Sequence, residues 1–162
     1  MPEATTMKRV ARDKRQGKSA GTQAGEFVRE EMEHIREGKH GARSAKQAIA
    51  IGLSKARRAG VKLPPSGTAS PATRRKARAD STAATKRRQP SRKRQRATLG
   101  ALQREGRAAA SPTALSRHAH SAARQRSAGE RSAAARKASR TKGRAGRQAA
   151  AKKAARTRRA AG

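Results

Sequence analysis

The run Ser44-Ala45-Lys46-Gln47-Ala48-Ile49-Ala50-Ile51-Gly52-Leu53-Ser54-Lys55-Ala56-Arg57-Arg58-Ala59-Gly60 decides the fold. Ser44 can cap a helix and Gly60 can end it, while the small and apolar side chains between them recur at helical spacing. Ala45, Ala48, Ile49, Gly52, Leu53 and Ala56 make one inner face, with Ile51 beside it to widen the core or contact a partner. Gly52 among alanines lets a second helix come close, at about 1 kcal/mol of helix propensity. Upstream, Thr22 can cap a helix whose face is Ala24, Phe27, Val28, Met32 and Ile35 and which stops at Gly38. Met7, Val10 and Ala11 mark a shorter helix ended by Gly17. The spacing therefore predicts helices over about 6–16, 22–37 and 44–59, joined by Gly-Lys turns, in a small domain of residues 1–63.

Downstream the composition changes. Of the 162 residues, 43 are Lys or Arg and 10 are Asp or Glu, a formal charge of +33. Residues 1–66 hold 15 cations and 7 anions, while residues 67–162 hold 28 and 3. The 53 hydrophobic residues include 38 alanines, and only Leu99, Leu102 and Leu115 among the larger ones lie beyond residue 66. By that count the second part cannot offset an ordering entropy of roughly 1–2 kcal/mol per residue, so it reads as unfolded when free. Pro64-Pro65 opens a basic linker over 64–91, and Ser111-Pro112 with Leu115 suggests a weak helical hairpin over 92–128. Residues 131–146 and 147–162 are two copies of a 16-residue basic Ala-rich repeat, identical at 10 positions. The fold class expected is mainly α: a three-helix N-terminal domain followed by a long, largely disordered basic tail with transient helix.

A polycation implies a polyanionic partner. Thirty-three net charges match roughly 55 Å of duplex, at one phosphate per about 1.7 Å. The tail contact candidates are Arg74, Arg75, Lys76, Lys86, Arg87, Arg88, Arg92, Lys93 and Arg94 in the linker and hairpin. In the repeats they are Arg136, Lys137, Arg140, Lys142, Arg144, Arg147, Lys152, Lys153, Arg156, Arg158 and Arg159. Lys46, Lys55, Arg57 and Arg58 add candidate contacts on the third predicted helix. Phosphate contacts position a protein without reading sequence, so low specificity follows. Phe27 is the one aromatic residue and belongs to the predicted core, which disfavours single-strand stacking and favours duplex DNA over RNA.

Other chemistries find no support. Zero Cys removes thiolate zinc sites, disulfides and Cys nucleophiles together. Gly17-Lys18-Ser19 lacks the earlier glycine of a phosphate-binding loop, since Arg12 stands there. His34, His40, His118 and His120 lack zinc-site spacing and read as surface residues. No catalytic set, cofactor site or metal site emerges. No transmembrane run or secretory signal is visible, so the expected location is cytoplasmic. Residues 22–59 could form a helix-turn-helix, but Glu26, Glu30, Glu31, Glu33 and Glu37 would face phosphates poorly. A packing module suits them better, with Arg29–Glu33 as a local pair and a homodimer through the helical head.

The Lys46-Gln47-Ala48-Ile49-Ala50-Ile51-Gly52-Leu53-Ser54 run resembles the core of a family of small basic bacterial proteins of unknown function, over about residues 20–65. The resemblance implies no activity. The tail, about residues 131–162, resembles those of linker-histone-like bacterial nucleoid proteins, from which it departs in being Arg-rich and free of proline. Together these imply a non-enzymatic, histone-like protein of the bacterial nucleoid that bridges or compacts duplex DNA. The alternatives are an RNA-binding or ribosome-associated protein and a partner-regulating module whose head carries the function.

Overall fold

A computed structural model describes residues 2–67, 69–86 and 91–160. Seven α-helices follow in order among them: α1 Ala4–Arg15, α2 Ala20–Arg36, α3 Ala45–Arg58, α4 Pro71–Thr85, α5 Arg92–Gln103, α6 Pro112–Arg124 and α7 Ala128–Ala160. A 3₁₀ turn at Ala108–Ala110 lies between α5 and α6, and α7 is broken at Gly143, whose φ is 62°. Serines start six of these seven helices, while α1 follows Glu3. Ser19, Ser44 and Ser70 accept hydrogen bonds from the amides of Thr22, Gln47 and Thr73 at 3.3, 3.2 and 3.2 Å. Ser111 and Ser127 do the same for Ala114 and Glu130, each at 3.2 Å. The Glu130 carboxylate accepts from the Ser127 amide at 2.8 Å, closing a reciprocal capping box. Thr22, expected as the cap of α2, instead lies inside it and donates its amide to Ser19.

The chain divides into two compact units, Met1–His118 and Ala119–Gly162. The first has two apolar clusters. Val10, Ala24, Phe27, Ala56 and Val61 form one, between α1, α2 and α3. Met32, Ile35, Ala42, Ala48, Ala109 and Ala110 form the other, with Val28, Ile49 and Leu115 packed against it. Gly52 brings α3 onto α2 so closely that a Cβ there would stand 2.7 Å from the Val28 Cα.

The core does not stop at residue 66. Asp80 of α4 accepts from Arg58 Nε at 2.9 Å and from Ser54 Oγ at 2.7 Å, and Ala77, one turn earlier, is buried. The segment after α5 pairs with the turn after α2. Gly41 donates its amide to Leu102 O at 2.9 Å, and Ala42 to Gly106 O at 3.1 Å. Arg36 Nε then donates to Ala110 O at 3.1 Å.

These features overturn the expectation of a largely disordered tail after a three-helix domain. Helices run from Pro71 to Ala160. The reason lies in alanine. Of the thirteen buried hydrophobic residues among those described, eight are Ala, including Ala77, Ala109 and Ala110. A count of large side chains misses a core built by close approach of small ones. In α5, α6 and α7 no residue is buried; beyond the Leu102 and Leu115 contacts, local terms support these helices: alanine propensity, serine caps, and proline at the first position of α6. No described helix is long and apolar enough to cross a membrane.

Candidate functional site

The basic candidates divide by environment. Arg74, Arg75, Lys76 and Lys86 lie exposed on α4 or at its end, as do Arg92, Lys93 and Arg94 on the first turn of α5. Arg136, Lys137, Arg140, Lys142, Arg144, Arg147, Lys152, Lys153, Arg156, Arg158 and Arg159 are exposed on α7. Arg87 and Arg88 lie outside the described residues. Arg147 donates one guanidinium N–H to Ser139 O at 2.7 Å, which leaves its other donors to solvent. From Arg144 onward, helical spacing puts Gly146, Ala150, Ala154 and Thr157 along one stripe, with the cations around the rest of the cylinder.

The four candidates on α3 fare differently. Lys46 is exposed. Arg57 Nε donates to Leu63 O at 3.0 Å, and Arg58 is held by Asp80. Lys55 points inward, its Nζ 2.6 Å from Glu31 Oε2 and 3.4 Å from Glu30 Oε1. Three of the four therefore serve the fold.

The acceptors of Lys55 were not legible as buried groups. Glu30 and Glu31 are 1% and 0% exposed. Burial pushes the Glu30 carboxyl up. The Glu3 amide at 3.0 Å, the Thr6 hydroxyl and the charges of Lys55 and His34 outweigh that and hold it below the ordinary range. Glu31 has no aligned hydrogen bond: its oxygens stand 3.2 Å from His40 Nε2 and 2.6 Å from Lys55 Nζ at angles that direct neither contact. A buried carboxylate costs several kcal/mol unless its charge is met. The overlooked signal is positional. Glu31 lies four residues after Phe27 and four before Ile35, at the centre of the apolar stripe.

Around this centre stand two of the histidines read from sequence as surface residues. The His34 side chain is 13% exposed, and His40 is 9% exposed. His34 Nε2 donates to Glu3 Oε1 at 2.8 Å, and Lys39 reaches the same oxygen at 3.0 Å. Those bonds, His34 first, bring the Glu3 carboxyl down to about 2. One ligand-type atom each from Glu31, His34 and His40 lies within 4.8 Å of the others, the one such trio among the described residues. His40 also lines a polar cleft shared with Glu37, Gly38, Gly41, Glu105 and Arg107.

No curated protein and no solved structure matches the chain. Residues 13–66, which run from the end of α1 through α3 and include Glu31, His34 and His40, match a family of unknown function (DUF6496).

Proposed function

We propose that the chain binds duplex DNA without sequence preference, as a histone-like nucleoid protein that neutralises phosphates and bridges or compacts duplexes. The observation that supports this reading is charge. Residues 67–162 hold 28 cations and 3 anions, and the candidates described there are exposed on helices. Binding then proceeds by counterion release, with guanidinium and ammonium groups on phosphate oxygens. A 17-residue helix such as 144–160 extends about 25 Å. Its alanines keep the cylinder slim beside a groove. The likeness of residues 131–162 to linker-histone-like tails agrees with this reading, and we take the Lys46–Ser54 run as the mark of the matched family. Bridging needs two tails in one particle, which we assign to self-association through the α1–α3 head.

The experiment is a salt titration of binding to matched duplex DNA and structured RNA. It compares the full chain with a variant in which Lys152, Lys153, Arg156, Arg158 and Arg159 become Gln. Log K should fall linearly with log salt, with a slope of about −0.9 per phosphate contact. The variant should be shallower by up to about 4.5. An unchanged slope refutes the assigned contacts, and a preference for RNA at equal salt refutes the choice of duplex DNA.

A further inference from the structure

The Glu31 pocket contains a conflict of lone pairs. His40 Nδ1 lies 3.0 Å from Gly41 O, and a carbonyl oxygen can only accept, so Nδ1 bears the proton. In the neutral ring Nε2 then holds a lone pair, and it stands 3.2 Å from Glu31 Oε1, a second acceptor. The contact is not aligned as a hydrogen bond, and a metal ion held by both atoms would satisfy the two lone pairs at once. Three features favour the metal. The 3.2 Å gap matches the edge of a tetrahedral zinc site, about 3.3 Å for bonds of about 2.0–2.1 Å. Both imidazoles have their other polar contact already made to an oxygen, His40 to Gly41 O and His34 to the Glu3 carboxylate. That is the outer arrangement that orients metal-bound histidines. Lys55 covers the far oxygen Oε2 and leaves Oε1 for a single-oxygen ligand.

We infer that Glu31, His34 and His40 bind one divalent transition-metal ion. Glu31 Oε1 and His40 Nε2 supply two ligand atoms and an imidazole nitrogen of His34 the third. Two imidazoles and a carboxylate, with no thiolate in the chain, suit Zn²⁺, Co²⁺ or Ni²⁺ and not Ca²⁺ or Mg²⁺. The His34 nitrogen, within 4.8 Å of the other two ligand atoms, must draw in toward the tetrahedral edge of about 3.3 Å, a side-chain adjustment at the end of α2. The polar cleft beside His40 gives the ion a route in. The ion fastens the end of α2 to the turn that receives residues 102–106, and this inference is independent of DNA binding.

The probe is Co²⁺ added to the full-length chain. One equivalent should produce visible ligand-field absorption, which Zn²⁺ then removes, and the melting temperature should rise with metal concentration. In the unaltered protein, paramagnetic shifts should appear on the ring protons of His34 and His40. His40→Gln and His34→Gln should each weaken binding at least tenfold, with helicity checked by circular dichroism. His118→Gln/His120→Gln should leave binding unchanged. Absence of a visible band, shifts confined to His118 and His120, or full binding by folded His40→Gln overturns the inference.

Discussion

Replacing Gly41 by alanine asks whether residues beyond 100 truly belong to the core. A Cβ at Gly41 would stand 1.9 Å from Glu105 O, and such contacts are essentially never shorter than 3.0 Å, so the backbone must retreat by about 1 Å. The obstacle is main chain on both sides, and no side-chain rotation relieves it. That retreat stretches the Gly41–Leu102 and Ala42–Gly106 hydrogen bonds, now 2.9 and 3.1 Å, beyond bonding range. Gly41 and Ala42 are buried, so each amide loses its partner away from water, at about 1–2 kcal/mol apiece. The expected total is about 2–4 kcal/mol, or a fall in melting temperature on the order of 10 °C for a unit of this size. Thermal unfolding followed by circular dichroism measures the total. Amide exchange locates it: the Ala42 amide should lose protection in the variant while the Ile35 amide, inside α2, retains more. Unchanged stability with a protected Ala42 amide would refute the docking of residues 102–106 and return the core to the first third of the chain.

Two further outcomes follow from the same structure. Asp80→Ala should cost about 1–3 kcal/mol, since it removes the charged acceptor of Arg58 and Ser54. Limited proteolysis should then cut near residues 67–70 faster, and an unaltered rate would show that α4 is held by something else. Ser127 holds the Glu130 carboxyl below the ordinary value of 4.5, through its amide and then its hydroxyl. Because the folded value is depressed, this capping contribution is complete above about pH 4.5 and is lost as pH falls through the lower folded value. A pH titration of the Ser127 amide by NMR should show that midpoint below 4.5, and a midpoint at or above it would contradict the box.

Helix ends were the most readable part of this chain, because a serine oxygen and a glycine at positive φ are local devices. Ser44 accepts from the Gln47 amide, and Gly60 has φ of 91°. The same grammar is written at Ser70-Pro71 and Ser127-x-x-Glu130, where the lack of large apolar residues overrode it. Propensity and caps are short-range terms that need no core, and they apply equally to α4 and α7. Tertiary placement was harder. Nothing local says that Ala109 and Ala110 close over Met32 and Ile35, because alanine looks alike inside and outside. Glu31 was misread for the opposite reason. A charge at a core position is usually attributed to a solvated face, and its inward partners Lys55 and His40 are 24 and 9 residues away.

An alanine-lined interface has a weakness that a leucine-lined one lacks: it has almost no shape memory. If α4 slid two turns along α3, Ala84 could take the place of Ala77 with little change in buried volume. Asp80 breaks that degeneracy. Its two oxygens meet Arg58 and Ser54 in one register only, so such a slip strands a carboxylate that is now almost buried. Asp80, one of three anions among the 28 cations after residue 66, thus acts as an alignment mark with no substitute nearby. Adding acidic residues to α4 would therefore blur its register as well as lower its charge.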